Sequence, residues 1–209
     1  MILKTIYILG GALVINLFLF YFFGSYGFYS NLILIIATFL ILHLIIDVKK
    51  SLKKKFEYPR IVSHLGFGFL VFFIGINYQH SVETDFNLRV GETQKLNNYE
   101  IFFENIKIEK NKNYKSVIGD FKIIDLKNNY VQYLSPEIRI YAKPETLTYE
   151  AAIKSRISSD LYLTMSNVSR SDFYNIKFQN KPFMVWIWIS ALMIALGGVL
   201  QLMLKKNEN

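Results

Sequence analysis

Residues 60–76 read RIVSHLGFGFLVFFIGI. From 61 to 76 there is no charged residue, yet His64 stands inside the run. Continued to Tyr78, this segment is close to the roughly 20 mostly apolar residues that a helix needs to cross the hydrocarbon of a bilayer. Three more segments meet that requirement, 3–23, 31–46 and 182–204. Hydrophobic residues make up 52% of the 209-residue chain, and they come in blocks rather than in the scattered pattern of an ordinary soluble domain. The expected fold is an α-helical integral membrane protein with four transmembrane helices. A polar, exported, mainly antiparallel β domain is expected between helices three and four.

The net charge of +8 invites a nucleic-acid reading, but its placement argues against one. Residues 79–182 hold 15 lysines and arginines against 13 acids, so the rest of the excess lies at the ends of the apolar segments. Lys49, Lys50, Lys53, Lys54, Lys55 and Arg60 join helices two and three, Lys205 and Lys206 follow helix four, and Lys4 opens helix one. Short basic loops stay in the cytoplasm. All three basic clusters agree on one topology: both termini and the 49–60 loop inside, 79–181 outside. The organisation expected is therefore 1–48 as two helices, 49–60 as a basic cytoplasmic loop, 61–78 as a third helix, 79–181 as the exported domain, 182–204 as a fourth helix and 205–209 as a tail. The single basic residue before the first apolar block and the lack of an A-x-A site fit a retained helix rather than a cleaved signal peptide. There are no cysteines, so the exported domain has no disulfides and the chain has no thiol of its own to offer.

Within the exported segment, 98–110, 116–126, 129–135, 137–143, 160–168 and 173–180 read as strands, and 149–155 as a helical turn. Turns are expected at 90–92 and 127–129. Six or so short strands in about 100 residues suggest a small antiparallel barrel or sandwich. Tyr78 below it, and Trp186 and Trp188 after Pro182, suit the aromatic belt of a membrane interface, with Pro182 in the first turn of helix four. Ala191, Ala195 and Gly198 form a small-residue face for helix packing. No P-loop, G-x-S-x-G or H-E-x-x-H motif is present.

On a helix, Gly68 and Gly75 fall within about 40° of His64, at i+4 and i+11. Such a bare face leaves room for a flat group such as a b-type heme, with His64 as its axial ligand through the iron. It equally suits a neighbouring helix, with His64 hydrogen-bonded across the contact. His43, four residues before Asp47, should lie at a depth similar to that of His64, which makes it a candidate second ligand. His80 is expected at the outer surface, solvated.

Several stretches then resemble one family in order along the chain. SHLGFGFLVFFIGI resembles the H-x-G helix of the cytochrome c maturation protein CcmF. RVGETQKLNNYEIFFENI (89–106), NKNY (111–114), LSPEIRIYAKPET (134–146), TYEAAI (148–153) and DLYL (160–163) are similar to motifs of its last large domain, and KPFMVWIWISALMIALGG (181–198) to its closing helix. Ser190 stands where that family often has glycine, and the family's Trp-rich W-G-x-W-W-x-W-D segment is not in this sequence.

The resemblance implies a component of the cytochrome c heme lyase, a subunit and not a catalyst on its own. The cofactor implied is heme b, held in the inner membrane (bacterial or mitochondrial) by His64, with electrons passing through it to keep the substrate heme reduced. The partners implied are a chain supplying the N-terminal half of CcmF with the Trp-rich segment, a CcmH-type thiol protein, apocytochrome c, heme and membrane lipid. Glu137, Arg139 and Tyr141 would shape the exported domain or dock partners. Two other functions fit the residues: a non-enzymatic membrane scaffold for cytochrome assembly, and a self-contained b-heme electron carrier ligated by His43 and His64.

Overall fold

The computed structural model describes every residue except 1, 25–26, 52–57, 97, 168–171 and 207–209. Lys53, Lys54 and Lys55 of the expected basic loop, and residues 207–209 of the tail, lie outside the described residues. The chain divides into two compact units. The first holds four helices, α1 (Ile2–Phe23), α2 (Phe28–Ser51), α3 (Tyr58–His80) and α4 (Met184–Lys206), each containing a stretch long and apolar enough to cross a membrane. Residues 58–60, expected in the loop, already belong to α3. Its Pro59 lies at the second helical position, where a missing N–H costs nothing.

The four helices pack through their smallest residues. Between α2 and α3, a β-carbon on Gly68 would sit 2.9 Å from Ile41 Cγ1, and one on Gly75 3.2 Å from Leu34 Cδ2. The bare face of α3 is therefore filled by α2, as the helix-packing reading of that face requires, and it is not a slot for a cofactor. Between α3 and α4 the contact is closer still. A β-carbon on Gly66 would meet the Ile194 nitrogen and the Ser190 carbonyl at 2.9 Å, and one on Gly197 would meet the Pro59 carbonyl at 2.6 Å. Backbone thus lies against backbone, the arrangement that small residues permit in a bilayer. Ser190, Ile194 and Gly197 form this face of α4. The expected face of Ala191, Ala195 and Gly198 turns largely outward, with open space beside Gly198. Between α1 and α2 the buried Asn16 donates through Nδ2 to Thr38 Oγ1 (2.6 Å) and to the Ala12 carbonyl (2.8 Å).

Helix four does not begin at Pro182. That residue ends a strand, and Phe183 takes a left-handed conformation (φ 58°) that turns the chain into the helix at Met184. Such a backbone costs a non-glycine residue about 1–2 kcal/mol, so its surroundings must hold it. The Phe183 amide donates to the Ser158 carbonyl (3.0 Å), and Asn77 Nδ2 donates to the Pro182 carbonyl (2.5 Å). Phe73 of α3 lies against both Phe183 and Trp186, at 5.8 and 5.6 Å between ring centroids.

The second unit is a β-sandwich. One sheet has the order β1 (Val82–Leu88), β10 (Tyr174–Pro182), β9 (Ser159–Asn167), β8 (Ala152–Lys154). The other has the order β2 (Thr93–Leu96), β3 (Tyr99–Lys110), β4 (Tyr114–Asp125), β6 (Glu137–Ala142), β7 (Glu145–Glu150), with β5 (Tyr130–Leu134) also on β4. Ladders are antiparallel throughout the described pairings, Phe103 facing Phe121 and Ile101 facing Ile123. The 149–155 segment is strand, not helical turn: Tyr149 pairs with Ile138 and Ile153 with Tyr162. Inward residues from both sheets, among them Phe103, Phe121, Ile123, Leu161, Leu163 and Phe178, are fully buried. Phe103 and Phe121 stack at 4.2 Å. Gly119 lets the sheets close there, since a β-carbon would lie 2.7 Å from Met165 Sδ.

Candidate functional site

His64 lies two turns into α3 beside the Gly66 contact. Its ring nitrogen Nδ1 is 2.7 Å from the carbonyl of Arg60, one helical turn earlier. A carbonyl only accepts, so Nδ1 carries the proton and donates it. In the neutral imidazole the lone pair is then on Nε2. A backbone carbonyl holding one ring N–H while the other nitrogen is left for an iron is the usual second contact of a ligating histidine.

The side chain is exposed at the side of the bundle and lines an apolar cavity of about 430 Å³ with Leu40 of α2, Ser63 and Phe67 of α3, and Ile194 of α4. The glycine contacts fix these walls. Gly66 brings Ile194 against α3, and Gly68 brings Leu40 and Ile41 from the other side. Ser63 Oγ donates to the Ile194 carbonyl (3.3 Å), tying the residue next to His64 onto α4. Ser190, 2% exposed, donates to the Trp186 carbonyl (2.6 Å), which folds its hydroxyl back onto its own helix. With Gly66 opposite, α3 approaches α4 there although the residue is not glycine.

These residues fit one face of an axially ligated heme: a single imidazole of defined tautomer, apolar walls and an open side. Contact of Gly68 with Ile41 and of Gly75 with Leu34 sets α2 antiparallel to α3, with His64 level with Leu44 and Ile45. His43 is thus one or two residues away along the axis, about 1.5 Å of rise each. It is half-buried, its ring 6.3 Å from that of Phe39. His80 ends α3 half-buried, not freely solvated. Among the described residues no group of three His, Asp or Glu is placed to hold a metal ion.

In the sandwich, Arg139 Nε donates to Glu137 Oε2 at 2.9 Å, with Glu150 Oε1 3.7 Å from Nη1. The guanidinium lies 5.0 Å over the Tyr114 ring, whose centroid is 5.3 Å from that of Tyr141. The hydrogen bond to Glu137 is the main cause that holds the guanidinium's pKa above its usual value. Glu137, Arg139 and Tyr141 therefore bind one another's neighbourhood together across β6, β4 and β7, a structural cross-strand network.

Sequence reasoning passed over Gly66, Ser63 and Gly197. The signal for Gly66 was the glycine two residues after His64, and no single-helix periodicity could show that its partners are Ser190, Met193 and Ile194 on a helix more than 100 residues away.

A four-helix unit with a β-sandwich inserted between its third and fourth spans defines a multi-pass membrane protein. Residues 79–182 match the family model for the CcmF C-terminal β-sandwich. The chain is 32% identical over 142 residues to the cytochrome c-type biogenesis protein CcmF of Haemophilus influenzae, covering 67% of this chain and 22% of that protein. It is 28% identical over 167 residues to CcmF of Escherichia coli K12, covering 79% of this chain and 26% of that protein. A solved structure of the cytochrome c heme lyase CcmF shares the fold, with a TM-score of 0.72 over 96% of this chain and 34% of the other, at 14% identity. The chain belongs to the CcmF family and corresponds to its C-terminal part. It spans about a quarter or less of the length of these relatives.

Proposed function

We propose that the chain is the C-terminal component of a cytochrome c heme lyase, holding heme b through His64. The observation that carries this reading is the 2.7 Å contact from His64 Nδ1 to the Arg60 carbonyl, which leaves the Nε2 lone pair beside an open apolar cavity. His64 and Arg60 set the tautomer; Ser63, Gly66 and Gly197 set the distance of α4; Leu40, Phe67 and Ile194 exclude water. Bound heme supplies an electron-carrying iron in the membrane. A second ligand would come from the part of CcmF upstream of the segment described, which would also bring the Trp-rich segment; His43 is the alternative within this segment. A CcmH-type thiol protein and apocytochrome c complete the partners. The basic residues at 4, 49–60 and 205–206 support an inner-membrane orientation with both termini inside and the sandwich on the periplasmic or intermembrane side.

The test is maturation of a c-type cytochrome in cells lacking their own CcmF. Co-expression of this chain with the upstream part of CcmF should yield covalent heme on the apocytochrome, seen by heme staining after denaturing electrophoresis. His64→Ala should abolish the stain while the chain still accumulates in the membrane. A stain undiminished by His64→Ala contradicts the proposal and favours a scaffold.

A further inference from the structure

The inner face of the larger sheet runs on past the smaller sheet that covers it. Along β3, β4, β6 and β7 the register places Ile108, Val117, Ile138 and Tyr149 in one row, and Lys110, Lys115, Ile140 and Leu147 in the next. Ile138 is the last of these in the core, at 3% exposed, whereas Ile108 is 62%, Tyr149 50% and Leu147 48% exposed. Beyond them lies a cavity of about 510 Å³ lined by Lys110, Lys112, Lys115, Tyr114 and Ile140, with Glu145 the one acid at its rim. Among the described residues the three lysines have no carboxylate partner. The outward face of the same strands is different: there Lys107 is paired with Asp120, and Arg139 with Glu137.

We propose that this overhang is a docking surface for an extended acidic segment of a partner protein, whose alternate apolar side chains cover Ile108, Ile140, Leu147 and Tyr149 while its carboxylates meet Lys110, Lys112 and Lys115. An extended segment has the two-residue period that lays every second side chain on the sheet. A second copy of the chain, docked symmetrically, would bring the same lysines against themselves. A purely apolar partner would leave three ammonium groups without counter-charge in a partly desolvated site. The surface belongs to the sandwich and His64 to the helical unit, and the inference is independent of heme binding.

The test uses the whole chain in nanodiscs of phosphatidylcholine and a fluorescein-labelled 12-residue peptide of alternating Asp and Val. Fluorescence anisotropy should show saturable binding that weakens as salt is raised. It should fall at least tenfold in the double variant Lys110→Glu, Lys115→Glu and in Leu147→Ser, both with unchanged circular dichroism because the altered side chains are exposed. The matching Lys–Val peptide should not bind. Equal binding of both peptides, equal affinity for the variants, or no binding to the native chain would overturn the proposal. It would be overturned as well by concentration-dependent dimerisation that Leu147→Ser abolishes, or by Lys110-dependent attachment to phosphatidylglycerol vesicles without peptide binding.

Discussion

Gly197 and Gly198 are neighbours in sequence with opposite demands on space, and this makes a sharp test of the helix packing that presents His64. A methyl group at Gly197 would lie 2.6 Å from the Pro59 carbonyl and 2.7 Å from the Ser63 nitrogen, both backbone atoms of α3. Backbone cannot rotate away, so α3 and α4 must separate toward ordinary contact, losing the close approach at Gly66 as well. Overpacking of this kind costs about 1–3 kcal/mol. For a chain of this length each kcal/mol shifts a melting midpoint by about 2–4 °C. At Gly198 a methyl group meets nothing within 4 Å, and alanine is the better helix former by up to about 1 kcal/mol. The assay is thermal unfolding in detergent followed by the fluorescence of Trp186 and Trp188, both at the start of α4. Gly197→Ala should melt about 2–12 °C below the native chain, and Gly198→Ala at or above it. Equal midpoints for the two variants, or a lower one for Gly198→Ala, would refute the packing argument.

Three further outcomes follow from the sandwich and the bundle. Phe121→Ala removes a fully buried ring stacked on Phe103 and should destabilise the sandwich by about 3–5 kcal/mol, measured by denaturant unfolding of β-sheet circular dichroism. Asp120 accepts from Lys107 and, at 2.9 Å, from Ser135; the bond from Lys107 is the main cause that holds its carboxyl below the usual range. A carboxyl lowered on folding contributes stability that is complete above its unfolded value near 4 and fades as pH falls through the folded one. Asp120→Asn should therefore slightly lower the neutral plateau of a stability–pH profile, leave its acid end unchanged, and so flatten the limb between them. Asn16→Leu deletes the donor to Thr38 Oγ1 from a buried position between α1 and α2, and should lower the midpoint by the equivalent of about 1 kcal/mol in the same fluorescence melt.

The helices were legible because hydrocarbon thickness sets a length that no soluble segment of this chain imitates. Most core strands were legible too: the alternation in FKIID of β4 puts Phe121, Ile123 and Asp125 on one face, and all three are buried. The strands β1 and β7 were not, because VETDFNL and ETLTYE carry polar side chains at most positions and are held by their ladders to β10 and β6, not by apolar content. Nor could the start of α4 be read from Pro182. A proline suits a first helical turn as well as the end of a strand, and the choice was made by the left-handed Phe183 and its packing on Phe73, which also stacks on Trp186. At the candidate site, His64 stood out as the lone polar ring in an apolar run. What filled the glycine face beside it depended on α2 and α4, and helical periodicity says which side is bare without saying what covers it.

His64 is the residue on which the proposed function turns, and the most direct measurement is the reduced-minus-oxidised pyridine hemochrome spectrum of the purified chain. It should be taken alone and co-purified with the upstream part of CcmF, with His64→Ala and His43→Ala beside the native sequence. The prediction is a b-type spectrum in the co-purified complex that disappears with His64→Ala and persists with His43→Ala. A b-type spectrum from the complex that survives His64→Ala, or no b heme in any preparation, would contradict it.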